Sequence, residues 1–285
     1  MKKTPKPRDT VQRLKETIHK QPAVFAVYVA LRLIVLAELV MSIIRGEYES
    51  AFICLLVLAL FILPFFIQQN FGIQLPSVLE IIILLFIFAA EILGELECYF
   101  ITYPNWDSML HTTTGFLCAA TGFALIDILN RNSRIKFQLS PVYVALAAFC
   151  FSMTVGVLWE FFEFGMDQVF GLDMQKDSVV TSISSTLLDP SGSQRPQRID
   201  GIASVEVNGQ ELGVGGYLDI GLADTMSDLF VNFVGALAFS VIGYRYLKSK
   251  GQGRFVRRFV PTPAPHGDAD DAEVAAAVAA DGKIL

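Results

Sequence analysis

At 285 residues, with 53% hydrophobic content, 23 Phe and only 18% charged residues, the chain is far too apolar for a soluble domain of ordinary composition. The formal net charge of -6 argues against nucleic acid as a partner, and five of the carboxylates lie in the terminal stretch from Asp268 to Asp281. Cys54, Cys98, Cys118 and Cys150 show no CxxC or other close ligand spacing, which argues against a thiolate metal centre; free thiols are expected in preference to a Cys54–Cys98 bridge.

A membrane span needs roughly 20 mostly apolar residues. Six stretches supply them: about 22 to 44, 51 to 68, 77 to 98, 108 to 129, 141 to 165, and 222 to 247. The expected fold is all-α, a polytopic membrane helix bundle of six transmembrane helices with a small extracellular β-hairpin segment. Residues 1–21 form a basic cytoplasmic or interfacial N-terminus, in which Val11, Leu14 and Ile18 repeat at helical spacing. Residues 22–170 hold spans one to five, 171–221 an extracellular loop, 222–247 span six, and 248–285 a cytoplasmic tail that reads as disordered beyond Pro261.

Span one carries Glu38 and, near mid-bilayer, Arg32. A bare guanidinium at that depth costs about 2.5 kcal/mol or more, so a partner carboxylate or carbonyl is expected. In span two Pro64 lies near the inner end, where a kink is tolerated. Span three starts at Pro76-Ser77, with Glu80 in the first turn as a structural anion, and ends with Glu91, Glu95 and Glu97 crowded at its outer end. An aromatic interfacial loop follows, Cys98 to Asn105, leading into Trp106.

Span four opens with Asp107 and His111, one helical turn apart, and carries a small-residue stripe of Thr112, Gly115, Ala119 and Gly122 that invites a neighbouring backbone close. At its inner end Asp127 is spaced to pair with Arg131. Span five closes on Trp159-Glu160-Phe-Phe-Glu163, with Asp167 further along the same face. In the following loop Val179 to Leu188 suits a short helix or a strand, and Val207-Asn208-Gly209-Gln210 is a two-residue hairpin signal whose hairpin should cap the bundle. Span six begins Asp224-Thr-Met-Ser-Asp228, and Asn232 continues that face at the next i+4 step.

Charge position sets the expected topology. The first twenty residues carry seven Lys or Arg, the loop after span four carries Arg131, Arg134 and Lys136, and Arg245 to Arg258 adds six. The positive-inside rule puts both termini in the cytoplasm. Asp107 and His111, Glu160, Glu163 and Asp167, and Asp224 and Asp228 then all fall in the outer half of the bilayer, with Glu91 at similar depth.

So many anions with one imidazole need cations or protons to share a layer. The reading preferred is a buried divalent-metal site with Asp107, His111, Glu160, Glu163, Asp224 and Asp228 as ligands, supported by Glu91, Asp167 and Asn232. Oxygen-rich ligation with one imidazole suits Mg, Mn, Fe or Zn. As an enzyme, the protein would use His111 or Glu163 as proton carrier on a lipid headgroup or envelope precursor. The alternatives are a proton- or cation-coupled transporter, in which the same acids load and release, and a non-catalytic structural membrane protein held by a hydrogen-bonded polar network.

Three motifs carry a family resemblance: Trp106-Asp-Ser-Met-Leu-His111-Thr-Thr-Thr-Gly115-Phe, Leu158-Trp-Glu160-Phe-Phe-Glu163-Phe, and Asp224-Thr-Met-Ser-Asp228 with Asn232-Phe-Val-Gly235-Ala. In order and spacing they resemble the YjdF-like bacterial inner-membrane proteins over roughly residues 76 to 247. That resemblance implies a multi-span location in a bacterial plasma (inner) membrane and points to the residues that matter, without implying a reaction. The long segment Gly171 to Gly221 departs from the shorter members.

Overall fold

The structure is a computed structural model that describes residues 22–71, 73–131, 139–249, 258–260 and 262–263. The basic N-terminal segment, the 132–138 loop, the Arg131 side chain and most of the C-terminal tail, on which earlier expectations fall, lie outside these described residues.

Among the described residues, six helical runs are long and apolar enough to cross a membrane: Pro22–Arg45, Tyr48–Gln68, Ser77–Leu96, Trp106–Asp127, Pro141–Phe170 and Leu222–Lys248. The protein is a polytopic helical membrane protein, and the six expected spans coincide with these runs to within a few residues. More of their large apolar side chains are exposed than buried. On α1 (Pro22–Arg45), Leu33, Ile34, Val40 and Ile44 are exposed while Val24, Leu31 and Val35 are buried. Lipid satisfies the outward set, because hydrocarbon tails solvate Leu and Ile as well as a protein core does.

The chain forms two compact units. The first holds Met1–Trp106, Ala120–Ala147 and Ser240–Leu285. Here α1 packs on α2 (Tyr48–Leu60) and α4 (Ser77–Ile87) around Leu31, Val35, Cys54, Val57, Phe61, Leu84 and Ile87. Between α2 and α3 (Leu63–Phe71) the helix breaks, and Pro64 explains the position. Its ring would meet the carbonyl of Leu60 in a continuous helix. Ile62 N instead bonds Ala59 O at 3.0 Å, a tightened last turn, and the ladder resumes with Phe66 N to Ile62 O at 3.0 Å.

Beyond α4 the third span widens into a π-helical run, Phe88–Leu96, whose wider turn ends with Glu97 N bonded to Ile92 O at 2.9 Å. Within it, a Cβ on Gly94 would lie 2.4 Å from Phe100 Cε2 on α5 (Tyr99–Thr102), so the ring occupies space that only glycine leaves. The aromatic loop is packed on itself, with Tyr99 4.5 Å from Tyr103 and 4.9 Å from Trp106 between ring centroids.

The expected carboxylate or carbonyl partner for Arg32 is replaced by a phenol. Arg32 Nη2 donates to Tyr28 Oη one turn earlier, and the guanidinium lies 4.1 Å from the Tyr28 ring centroid. An aromatic face with a hydroxyl at its edge solvates the cation without a second buried charge. The expected disorder beyond Pro261 also needs correction at its start: β8 (Thr262–Pro263) pairs antiparallel with β1 (Ile73–Gln74), giving that stretch a backbone partner. All four cysteines are free thiols.

The second unit holds Asp107–Ala119 of α6 (Trp106–Arg131), Ala148–Phe170 of α7 (Pro141–Phe170), the segment that follows, and α8 (Leu222–Lys248) as far as Phe239. Glycines bring these helices together. A Cβ on Gly235 would lie 2.0 Å from Thr112 O, one on Gly115 would lie 2.2 Å from Asn232 O, and one on Gly156 would lie 2.6 Å from Asn232 Nδ2. Ser152 Oγ donates to Gly115 O at 2.7 Å across the same joint. Edge-on aromatic pairs, Phe116 with Phe239 and Phe149 with Phe233, fill the space beside it.

Between α7 and α8 the chain makes only short antiparallel pairings. β2 (Val179–Val180) pairs with β7 (Tyr217–Leu218), and β3 (Ser182–Ser185) pairs with β4 (Gln197–Asp200). Val179 to Leu188 is thus strand followed by a 3₁₀ turn, Thr186–Leu188. The hairpin of β5 (Glu206–Val207) and β6 (Gln210–Glu211) turns through Asn208 at φ 55° and Gly209 at φ 81°, the positive pair that a type I′ turn requires. Its strand residues are all exposed. A second turn is organised by Asp189, whose carboxylate accepts Ser191 Oγ at 2.6 Å, Ser193 Oγ at 2.8 Å and the Ser191 amide at 3.0 Å. The Ser191 hydroxyl foremost holds that carboxyl well below the usual carboxylate range.

Candidate metal centre

His111 lies at the centre of the polar residues of the second unit. Its Nε2 is 3.5 Å from Asp107 Oδ1, one turn back on α6, and 3.9 Å from Asp228 Oδ2 on α8. Its Nδ1 is 3.8 Å from Glu160 Oε1 on α7. Three helices thus deliver one imidazole and three carboxylates to one point. The close approach is possible because Gly115 and Gly235 let α6 and α8 meet near backbone contact, while Gly156 leaves room on α7 for the Asn232 side chain.

The cluster is shielded. Asp228 is 2% exposed, Glu160 4% and His111 9%, while Asp107 keeps part of its side chain open. Neither Glu160 oxygen, nor Asp228 Oδ2, nor Glu163 Oε2 has a donor at ordinary hydrogen-bond geometry. Buried carboxylate oxygens left in that state are costly, so the arrangement calls for a cation, protons or water. One ligand atom each from Asp107, His111 and Asp228 lie within 4.8 Å of one another, a buried Asp-His-Asp group able to hold a metal ion. Hard oxygens with one imidazole form the donor set that Mg, Mn, Fe or Zn accept.

The remaining expected residues divide between the two units. Glu163 is buried one turn beyond Glu160 and accepts a 2.8 Å bond from Trp159 Nε1. Asp224, half-buried one turn before Asp228, accepts the Lys176 backbone N–H at 2.8 Å. Asp167 faces the loop: its two oxygens accept Met174 N at 2.6 Å and Gln175 N at 2.9 Å, so it folds the chain back over the end of α7. Asn232 is buried a turn deeper than Asp228, wedged between Gly115 and Gly156, with Nδ2 3.5 Å from Met153 Sδ. Glu91 belongs to the other unit, half-buried beside Glu95.

Several residues at the site had no sequence signal. Gln175 Nε2 donates to Thr225 Oγ1 at 2.6 Å, and Thr225 lies beside the Glu160 carboxyl. Fifty positions separate that pair, and no periodicity links a loop glutamine to a helix threonine. Gly156 and Ser152 carry no signal within an apolar run. Trp159 is different: its i, i+4 spacing to Glu163 was readable.

Fold and site together define a multi-pass membrane protein with a buried acidic cluster around one histidine. The chain belongs to the family of predicted membrane proteins DUF2238, whose model matches residues 27–249 and so spans all three motifs of the site. None of the curated proteins and no solved structure matches the chain.

Proposed function

We propose that the protein binds a divalent metal ion through Asp107, His111 and Asp228 and uses it in chemistry on a lipid headgroup or envelope precursor in a bacterial inner membrane. The carrying observation is the convergence of those three ligand atoms within 4.8 Å, beside carboxylate oxygens buried without donors. Charge counting supports a divalent ion. Asp107, Glu160 and Asp228 carry three negative charges when ionised, and a histidine that ligates is neutral and returns none, so a divalent ion offsets two of the three. A bound ion would supply that compensation together with Lewis acidity toward a phosphate oxygen. Glu163, held by Trp159 next to the cluster, is the proton carrier. The basic residues that flank the spans support cytoplasmic termini and a site in the outer half of the bilayer.

The test is elemental analysis of the detergent-purified full-length protein beside a folded Asp228→Asn/Glu160→Gln double variant. The expected result is about one metal equivalent per chain in the parent and its loss in the double variant. A parent without metal would sink this reading, and cation-coupled flux in liposomes would then be the next measurement.

A further inference from the structure

The two nitrogens of His111 face different surroundings, and the difference assigns them different work. Nε2 looks between Asp107 Oδ1 and Asp228 Oδ2, at 3.5 and 3.9 Å, whereas Nδ1 looks at Glu160 Oε1, at 3.8 Å. A neutral imidazole carries one proton and one lone pair, so only one nitrogen can ligate. Thr225, beside Glu160, already accepts from Gln175 Nε2 at 2.6 Å, and its own proton is therefore free to be offered to the Glu160 carboxylate. With no donor at hydrogen-bond geometry on either oxygen, the Glu160 carboxylate is open to accept from both Thr225 and His111.

Resting on the metal reading above, we infer that Glu160 is a positioning residue that holds the Nδ1 proton of His111, so that the Nε2 lone pair is presented to the ion between Asp107 and Asp228. Gln175 donates to Thr225 at 2.6 Å, and with the ion bound Thr225 and His111 would both donate to the Glu160 carboxylate. The present 3.8 Å is ion-pair range; such supporting contacts shorten when the ligand atom is drawn onto a cation. Glu160 therefore leaves the ligand set, which narrows to Asp107, His111 and Asp228.

The experiment uses full-length protein carrying His19→Gln and His266→Gln, so that His111 is its only histidine, labelled with ¹⁵N and titrated with Zn²⁺. Long-range ¹H–¹⁵N spectra of the zinc-loaded protein should show Nδ1 protonated and Nε2 bound to zinc. Zinc on Nδ1 overturns the inference while leaving the metal site standing. In parallel, Glu160→Gln should keep the zinc stoichiometry and weaken the affinity roughly 10- to 100-fold, as loss of an outer partner of a ligating histidine does, with Thr225→Val weakening it less. Unchanged affinity in Glu160→Gln, or a folded Glu160→Gln that binds no zinc at all, overturns it. A parent that binds no zinc fails earlier and distinguishably, because it removes the metal reading itself.

Discussion

Asn232 shows how much one side chain can settle in this protein. It is 1% exposed, and its amide sits where both Gly115 and Gly156 lack a Cβ, so three helices are held at a spacing that places Asp228, one turn away, opposite His111. The glycines are consequently the residues least open to change. Gly235→Ala would put a methyl 2.0 Å from Thr112 O, a backbone atom that no rotamer change can move. The expected cost is about 1–3 kcal/mol, visible as a lower thermal midpoint in detergent. Gly165→Ala on α7 meets nothing within 4 Å and should leave the midpoint unchanged or slightly raised. Equal midpoints for the two variants would contradict the close-approach account.

At the scale of elements, the third span departs most from regular geometry. The change from α4 to the π-helical run at Phe88 alters the phase of every later side chain, so Glu91 and Glu95 no longer occupy the positions an α-helical reading assigns them. Gly94 and Phe100 are coupled at this run, since the ring fills the place of the missing Cβ. Gly94→Ala should destabilise the protein, and it should cost distinctly less in a Phe100→Ala background. Additive effects in that double-mutant cycle would show that the two do not share the space. The break before Pro64 follows the opposite logic. It was legible in the sequence because proline forbids a particular hydrogen bond, whereas nothing in Phe88–Leu96 announces i to i+5 bonding.

For the whole molecule, the proposed orientation carries its own prediction. Leu187, 94% exposed at the 3₁₀ turn between α7 and α8, lies in the segment assigned to the outside. In a Cys98→Ser/Cys150→Ser background, which removes the exposed thiols, Leu187→Cys should react with a membrane-impermeant maleimide on intact cells. Labelling only after lysis would invert the topology and put the acidic site on the cytoplasmic side.

Six spans, the hairpin turn at Asn208-Gly209 and the residue types of the acidic cluster were all legible in the chain, because they rest on properties local in sequence: apolar run length, φ preference and helical spacing. The three-dimensional fold decided which acids meet. Asp107, Glu160 and Asp228 lie on three helices and converge on His111, while Asp167 turns to the loop backbone and Glu91 belongs to the other unit. Helical spacing places a side chain on a face but does not say which helix that face will meet. That choice is made by backbone contacts at Gly115 and Gly235 and by the Asn232 side chain against Gly156, between segments far apart in the chain, where a missing Cβ matters only once a neighbour arrives.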